Sequence, residues 1–248
     1  MDYKITHGPA FALLEMDMAQ GEEVQCESGA MVCMSATLSL RSSMGGGSGG
    51  GGGFLGRAVG ALTRSAMGGE SFFVTHITAT DGPGYLALAP ATPGDIHDAE
   101  VDAATPLIVQ GGSFLASAPG VTVDPSWGGL RGMLGGEGLF MLRASGTGTL
   151  FMASFGAIFR RDLAPGERFV VDSGHMVAYQ EGMAVQTRMV AGAGGFFQRM
   201  VTSATSGEGL VMEFTGPGPV WMQTRNPEAF SGWVRSLLPN LSGKSSGQ

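Results

Sequence analysis

Charge is scarce in this 248-residue chain: 14% of its residues are Asp, Glu, Lys or Arg, against roughly 25% in an average soluble domain. A surface this poor in charge is either apolar in places or covered in an oligomer. Lys and Arg number 14 against 21 Asp and Glu, a net charge of −7. That balance excludes the broad basic face of a phosphate-backbone binder, so no nucleic-acid partner is expected. Cysteine is nearly absent too. Cys26 and Cys33 stand at i and i+7, which fits no zinc-ligand spacing. An odd spacing along a regular strand puts them on opposite faces. Ser28-Gly29 between them suggests a bend instead, and structural, reduced thiols are expected. The first fifteen residues lack a basic segment ahead of a long apolar run, so no secretory leader is expected. The longest uncharged window, 103–123, carries Gly111, Gly112, Pro119 and Gly120. It reads as two strands and a turn rather than a membrane helix. A cytoplasmic location is the expectation.

Turns and apolar segments are abundant. The chain has 43 Gly, 12 Pro and 43% hydrophobic residues, with a mean hydropathy of +0.16. One design recurs three times. Gly69-Glu70 leads Phe72-Phe73-Val74, a turn at Gly82-Pro83-Gly84, and Tyr85-Leu86-Ala87-Leu88. Gly136-Glu137 leads Leu139-Phe140-Met141-Leu142, a turn at residues 144–148, and Leu150-Phe151-Met152. Gly207-Glu208 leads Leu210-Val211-Met212, a turn at Gly216-Pro217-Gly218, and Val220-Trp221-Met222. Upstream of each, two glycines recur at i and i+8: Gly21 and Gly29, Gly112 and Gly120, Gly166 and Gly174. Each is expected at a positive φ or a tight bend. Short apolar runs bounded by Gly, Pro and Asp are strand signals. The chain therefore reads as an all-β protein of three tandem repeats, about 1–96, 97–160 and 161–225. They form a single unit, because one small repeat buries too little alone. Each Gly-turn is read as the bend of a hairpin.

Between the glycine pair and the Gly-Glu pair, each repeat makes an excursion. In the first, residues 42–53 are nearly all Gly and Ser, a flexible coil. Residues 54–67 then place Leu55, Val59, Leu62 and Ala66 on one helical face. The other two excursions carry Leu130, Met133 and Leu134, and Phe196 and Phe197, each beside an Arg. After the repeats, Asn226 is a helix cap, Pro227 suits the first turn, and Phe230, Trp233, Val234, Leu237 and Leu238 recur at helical spacing. A short helix over 227–238 and a frayed tail over 239–248 follow.

Catalytic signatures do not rise above chance. Gly51-Gly52-Gly53-Phe54-Leu55-Gly56 satisfies the dinucleotide pattern formally, but any glycine pattern matches within a poly-Gly tract. Residues 46–50 mimic a nucleophile elbow for the same reason. Gly243-Lys244-Ser245 lacks the earlier Gly of a phosphate loop. Glu70, Glu137 and Glu208 recur with the repeat. They read as carboxylates that accept backbone N–H bonds at a turn or pair with an Arg, with a convergent cation site as the alternative. Asp95, His97 and Asp98 read as a loop with turn-forming acids, and His7, His76 and His175 are too scattered for a triad. No catalytic residue, cofactor or metal is expected. The sixteen Met are mostly core fillers. The candidate interaction surface is the set Phe54, Leu55, Leu62, Leu130, Met133, Leu134, Phe196 and Phe197. It is either buried against a neighbouring repeat or subunit, or an exposed patch for a membrane or partner.

Gly29-Ala30-Met31-Val32-Cys33-Met34, the Gly-rich excursion and Gly69-Glu70-Ser71-Phe72-Phe73 resemble the bacterial branch of the mitochondrial biogenesis "altered inheritance of mitochondria" family. The resemblance covers about residues 1–238. It implies three β-sandwich units around a pseudo-threefold axis, similar to subunits of the Trp RNA-binding attenuation protein, and assembly into a homotrimer. It brings no catalytic residues, and fold likeness alone does not transfer RNA binding. The expected role is a non-enzymatic, oligomeric assembly or scaffold protein, with a place at a membrane surface left open. The alternative is a small-molecule or ion binder with sites between units.

Overall fold

The computed structural model describes residues 1–44, 73–125, 140–189 and 210–237. The first strands are β1 (Asp2–Thr6), β2 (Leu13–Met18), β3 (Glu23–Glu27), β4 (Met31–Met34), β5 (Leu38–Met44), β6 (Phe73–Ala79) and β7 (Gly84–Leu88). Next come β8 (Ile96–Val101), β9 (Leu107–Gln110), β10 (Phe114–Ser117), β11 (Val121–Pro125), β12 (Met141–Gly146) and β13 (Gly148–Ala153). Last are β14 (Ile158–Leu163), β15 (Arg168–Asp172), β16 (Met176–Gln180), β17 (Ala184–Met189), β18 (Leu210–Thr215) and β19 (Gly218–Gln223). A single helix among the described residues, α1 (Pro227–Leu237), follows them. Single 3-10 turns over Gly111–Ser113 and Ser173–His175 precede β10 and β16.

The strands form four sheets, in the orders β1-β2-β7-β4, β5-β6-β3-β10-β13-β8, β11-β12-β9-β16-β19-β14 and β15-β18-β17. All ladders between named strands are antiparallel. The core lies in three layers between successive sheets. The first two sheets enclose Leu14, Met16, Ile77, Leu115 and Phe151. The second and third enclose Leu107, Phe114, Leu142, Val177 and Trp221. The third and fourth enclose Ile108, Met176, Met212, Phe214 and Val220.

The turns expected to close hairpins do something else. β6 pairs with β3 and β5, whereas β7 pairs with β2 and β4. β12 and β13 are likewise parted between the third and second sheets, and β18 and β19 between the fourth and third. Each Gly-turn is a corner at which the chain changes sheet. The reason lies in the apolar runs after the turns. Leu86-Ala87-Leu88, Leu150-Phe151-Met152 and Val220-Trp221-Met222 are buried continuously rather than alternately. Such strands need cover on both faces and partners on both edges, not a local hairpin mate alone. Glycine permits the corner: Gly148 has φ 146°, and a Cβ there would stand 3.0 Å from the Ala118 Cβ.

The glycine spacing is also out of phase in the middle of the chain. Gly29, Gly112 and Gly174 occupy like positions, just before β4, β10 and β16, while Gly120 lies one turn later, before β11. Gly21, Gly29 and Gly166 have positive φ, as expected, and Gly112, Gly120 and Gly174 do not. Close approach explains two of these: a Cβ would meet the Thr147 carbonyl oxygen at 2.3 Å from Gly120, and Asn226 Nδ2 at 2.1 Å from Gly174. The window 103–123 holds β9, β10 and the start of β11, one strand more than its sequence suggests.

Candidate functional site

The candidate surface residues Phe54, Leu55, Leu62, Leu130, Met133, Leu134, Phe196 and Phe197 lie outside the described residues, as do Glu70, Glu137 and Glu208. The points where the chain leaves for each excursion are described. Met44 pairs with Phe73, Pro125 with Leu142, and Met189 with Leu210. Every excursion is thus inserted between two strands that pair with each other. Next to those tips, Val74 pairs with Glu27, Met141 with Gln110, and Val211 with Asp172. These partners are the last residues of β3, β9 and β15.

At that same end of the third group sits α1. Asn226 caps it: its Oδ1 accepts from the backbone N–H of Glu228 at 2.9 Å and of Ala229 at 3.1 Å. Gln223 ties the helix base to the sheets. It is 5% exposed, its Nε2 donates to the Gly174 carbonyl at 3.0 Å, and its Oε1 accepts from the Phe155 N–H at 2.8 Å. His175, the last residue of the 3-10 turn before β16, donates from Nδ1 to the Gln223 carbonyl at 2.8 Å. Phe230 then meets Phe155 edge to face at 5.0 Å, and Trp233 stands 5.7 Å from Phe230. Among the described residues, little else holds the helix. No residue of α1 is buried, and Trp233 and Leu237 are 57% and 62% exposed. Phe11, in the loop before β2, is 73% exposed. That loop is joined to the Phe155 loop through the intervening turn, because Ala12 N–H donates to Gly94 and Asp95 N–H donates to Gly156. Sequence reasoning found α1 and its cap, but nothing local marked Gln223 as the residue that seats it.

Charged groups are largely matched in place. Arg143 grips Glu181 with two bonds of 2.7 and 2.8 Å, which holds the carboxyl below its usual range. Arg168 and Arg188 both pair with Glu213, a carboxylate 8% exposed at the centre of the fourth sheet. Arg161 binds Glu167 at 2.8 Å and lies 4.8 Å over the Phe169 ring, and Arg160 lies 5.1 Å over Trp221. Glu23 receives Thr78 and contacts His76 Nδ1 at 3.1 Å. Glu27, at the end of β3, is the exception: burial pushes its carboxyl up to about 7. His97 and Asp98 lie on β8 rather than in a loop, where Asp98 accepts from the Tyr3 hydroxyl at 2.9 Å. Asp95, just ahead of the strand, accepts from the Ile96 N–H. The cysteines are both free: Cys26 is buried in β3, and Cys33 is exposed on β4. The burial expected of a structural thiol therefore applies to Cys26 alone. Among the described residues, no group of three or more His, Cys, Asp or Glu is placed to hold a metal ion, and no helix is long and apolar enough to cross a membrane.

A mostly β protein of several sheets, closed by a short exposed helix, is the class these features define. The chain belongs to the mitochondrial biogenesis AIM24 family, whose pattern matches residues 3–225. It is 33% identical to an uncharacterized protein of Streptococcus pyogenes serotype M6 over 246 residues, covering 98% of this chain and 93% of that one. A crystal structure of a Streptococcus pyogenes protein resembles it with a TM-score of 0.74 at 32% identity, covering 96% of this chain and 99% of the other.

Proposed function

We propose that the protein is a non-enzymatic assembly protein, built of three like β units, that docks through one apolar end. The unit reading rests on pairing. β2, β8 and β14 pair with β7, β13 and β19, which also pair with β4, β10 and β16. β3, β9 and β15 pair with β6, β12 and β18, which also pair with β5, β11 and β17. Two three-stranded groups per unit, facing each other across a core, support the reading of three β-sandwich units that the family resemblance implies.

One observation carries the functional reading. Phe11 and the Phe230, Trp233 and Leu237 face of α1 are exposed at the end from which the third excursion departs. The corresponding strand ends launch the other two excursions, with their own Phe, Leu and Met. Aromatic and aliphatic side chains on one face of a short helix suit the interfacial region of a bilayer, where the apolar side enters and the polar side stays wet. Liposome flotation of the full chain tests this. Flotation that is lost in Phe230→Ser/Trp233→Ser supports docking at a membrane surface. If neither protein floats and the intact chain is monomeric by light scattering, the assembly reading fails.

A further inference from the structure

Deepening the assembly reading, on which it rests, we infer that the free edge of β15 in one copy pairs with the free edge of β4 in the next, so that copies join head to tail by a continuous sheet. The chain contains this joint twice already. β3 of the first unit pairs with β10 of the second, with Cys26 opposite Ala116 and Gln25 opposite Ser117. β9 of the second unit pairs with β16 of the third, with Val109 opposite Ala178 and Ile108 opposite Tyr179. Among the described residues, β15 and β4 are the two strands of these classes left at a sheet edge.

The match extends to single residues. β4, β10 and β16 each carry a register shift at their second residue, between Met31 and Cys33, Phe114 and Ala116, and Met176 and Ala178. Met31, Val32 and Cys33 thus correspond to Phe114, Leu115 and Ala116, and to Met176, Val177 and Ala178. Where the joint is made, Leu115 and Val177 are both 0% exposed; Val32, where it is not, is 57% exposed. On the other side, Val170 corresponds to Ile108, which is 7% exposed in its joint, whereas Val170 is 46% exposed. Both free edges therefore display apolar side chains that their counterparts bury. An unpaired edge also presents a row of unused N–H and C=O groups, a template for another strand; the irregularity in β4 is shared by β10 and β16, which pair on their other edge despite it. The residues of β4 are Met, Val, Cys and Met, with no charge.

Carrying the internal register across gives Val171 opposite Cys33 and Val170 opposite Met34. The interface is heterologous, so it closes into a ring or runs on as a filament, as its rotation dictates. The partner is a second copy of this chain.

Two variants of the full chain test the joint. Val171→Cys places a thiol opposite Cys33 of the neighbour, and directly paired strand residues have Cα atoms roughly 4.5–5.5 Å apart, within disulfide reach. On mild oxidation, a reducible ladder of dimers and higher species is expected on a denaturing gel. Val32→Lys puts a charge on an exposed edge position and leaves the core untouched. Its mass by light scattering is expected to fall from a multiple of 25.4 kDa to one chain, with the wild-type melting curve kept. A folded Val171→Cys without a ladder, a disulfide confined to single chains, or an unchanged oligomer in Val32→Lys each overturns the joint. If the wild type is an oligomer in those cases, the assembly reading survives and only the joint is lost. A monomeric wild type removes both.

Discussion

A Cβ built on Gly174 would stand 2.1 Å from Nδ2 of Asn226 and 2.5 Å from its Cγ. The residue that caps α1 is seated in the space that a missing side chain leaves in the turn before β16. Gly174→Ala is therefore expected to displace the cap and cost about 0.5–2 kcal/mol of local stability, the usual range for losing a polar cap. Asn226→Ala should cost a similar amount, and the double variant little more, since both remove the same contact. Hydrogen exchange at the Glu228 and Ala229 amides reads this directly. Additive effects would show the two residues to be independent.

The stability of the protein should fall with rising pH in the window set by Glu27. Its folded carboxyl titrates at about 7, raised by burial from an ordinary value of 4.5. Below 4.5 both states are protonated and no penalty applies. Between 4.5 and 7 the unfolded chain loses its proton while the folded one keeps it, so folding weakens as pH rises. Glu27→Gln removes the penalty. Because Glu27 is only part-buried, the gain at pH 8 is expected to be about 1 kcal/mol, or roughly 2–4 °C in Tm, and near zero at pH 4. Melting curves at the two pH values check it.

Phe151 is fully buried and meets the Tyr3 ring edge to face at 4.8 Å. Phe151→Ala empties the centre of the first core layer and should cost about 3–5 kcal/mol. Phe151→Leu should retain most of that, and urea midpoints separate the two.

The two thiols should differ in reactivity. Burial pushes the Cys26 thiol up to about 12, whereas Cys33 is exposed. In monomeric Val32→Lys, one thiol should react promptly with a disulfide reagent and the second only on unfolding. If copies join through β4 as proposed, Cys33 should be protected in the wild type as well, since its counterparts Ala116 and Ala178 are 0% exposed.

Much of this architecture was legible in the residues. Runs such as Val24 to Glu27 and Met31 to Met34 announce β3 and β4, because their lengths and bounding glycines permit little else. Asn226-Pro227 announces α1 for a reason that is equally local, and the described helix, Pro227–Leu237, lies within the 227–238 read from its spacing. Sheet membership was not legible. Phe73-Val74 and Leu86-Ala87-Leu88 flank a tight glycine turn and look like hairpin arms, yet their hydrogen bonds go to strands far along the chain. The middle glycine pair misled because Gly112 and Gly120 copy the spacing of Gly21 and Gly29 while standing one turn later in the fold. Asp95, His97 and Asp98 looked like a loop because polar residues crowd there. His97 and Asp98 lie on β8, whose Ile96 packs into the first core layer and whose Ala99 and Val101 pack into the second. The eleven proposed surface and carboxylate positions fall outside the described residues, and exposed apolar groups that are described, among them Phe11, Val32, Val170 and the α1 side chains Phe230, Trp233 and Leu237, were not on that list.

The corner between β6 and β7 also sets an order for synthesis. A chain emerging from a ribosome cannot pair β1 to β7 through hairpins alone, since β6 and β7 do not pair with each other. The inner edge of β3 stays open until β10, ending at Ser117, has emerged, and that of β9 waits in turn for β16. Nascent molecules therefore pass through two stages in which one strand edge, first that of the mixed Glu-Val-Gln-Cys-Glu strand β3 and then that of the apolar β9, has no mate on the same chain. At those stages, neighbouring polysomal copies present the same edges to one another, and correct pairing depends on the later strand arriving first.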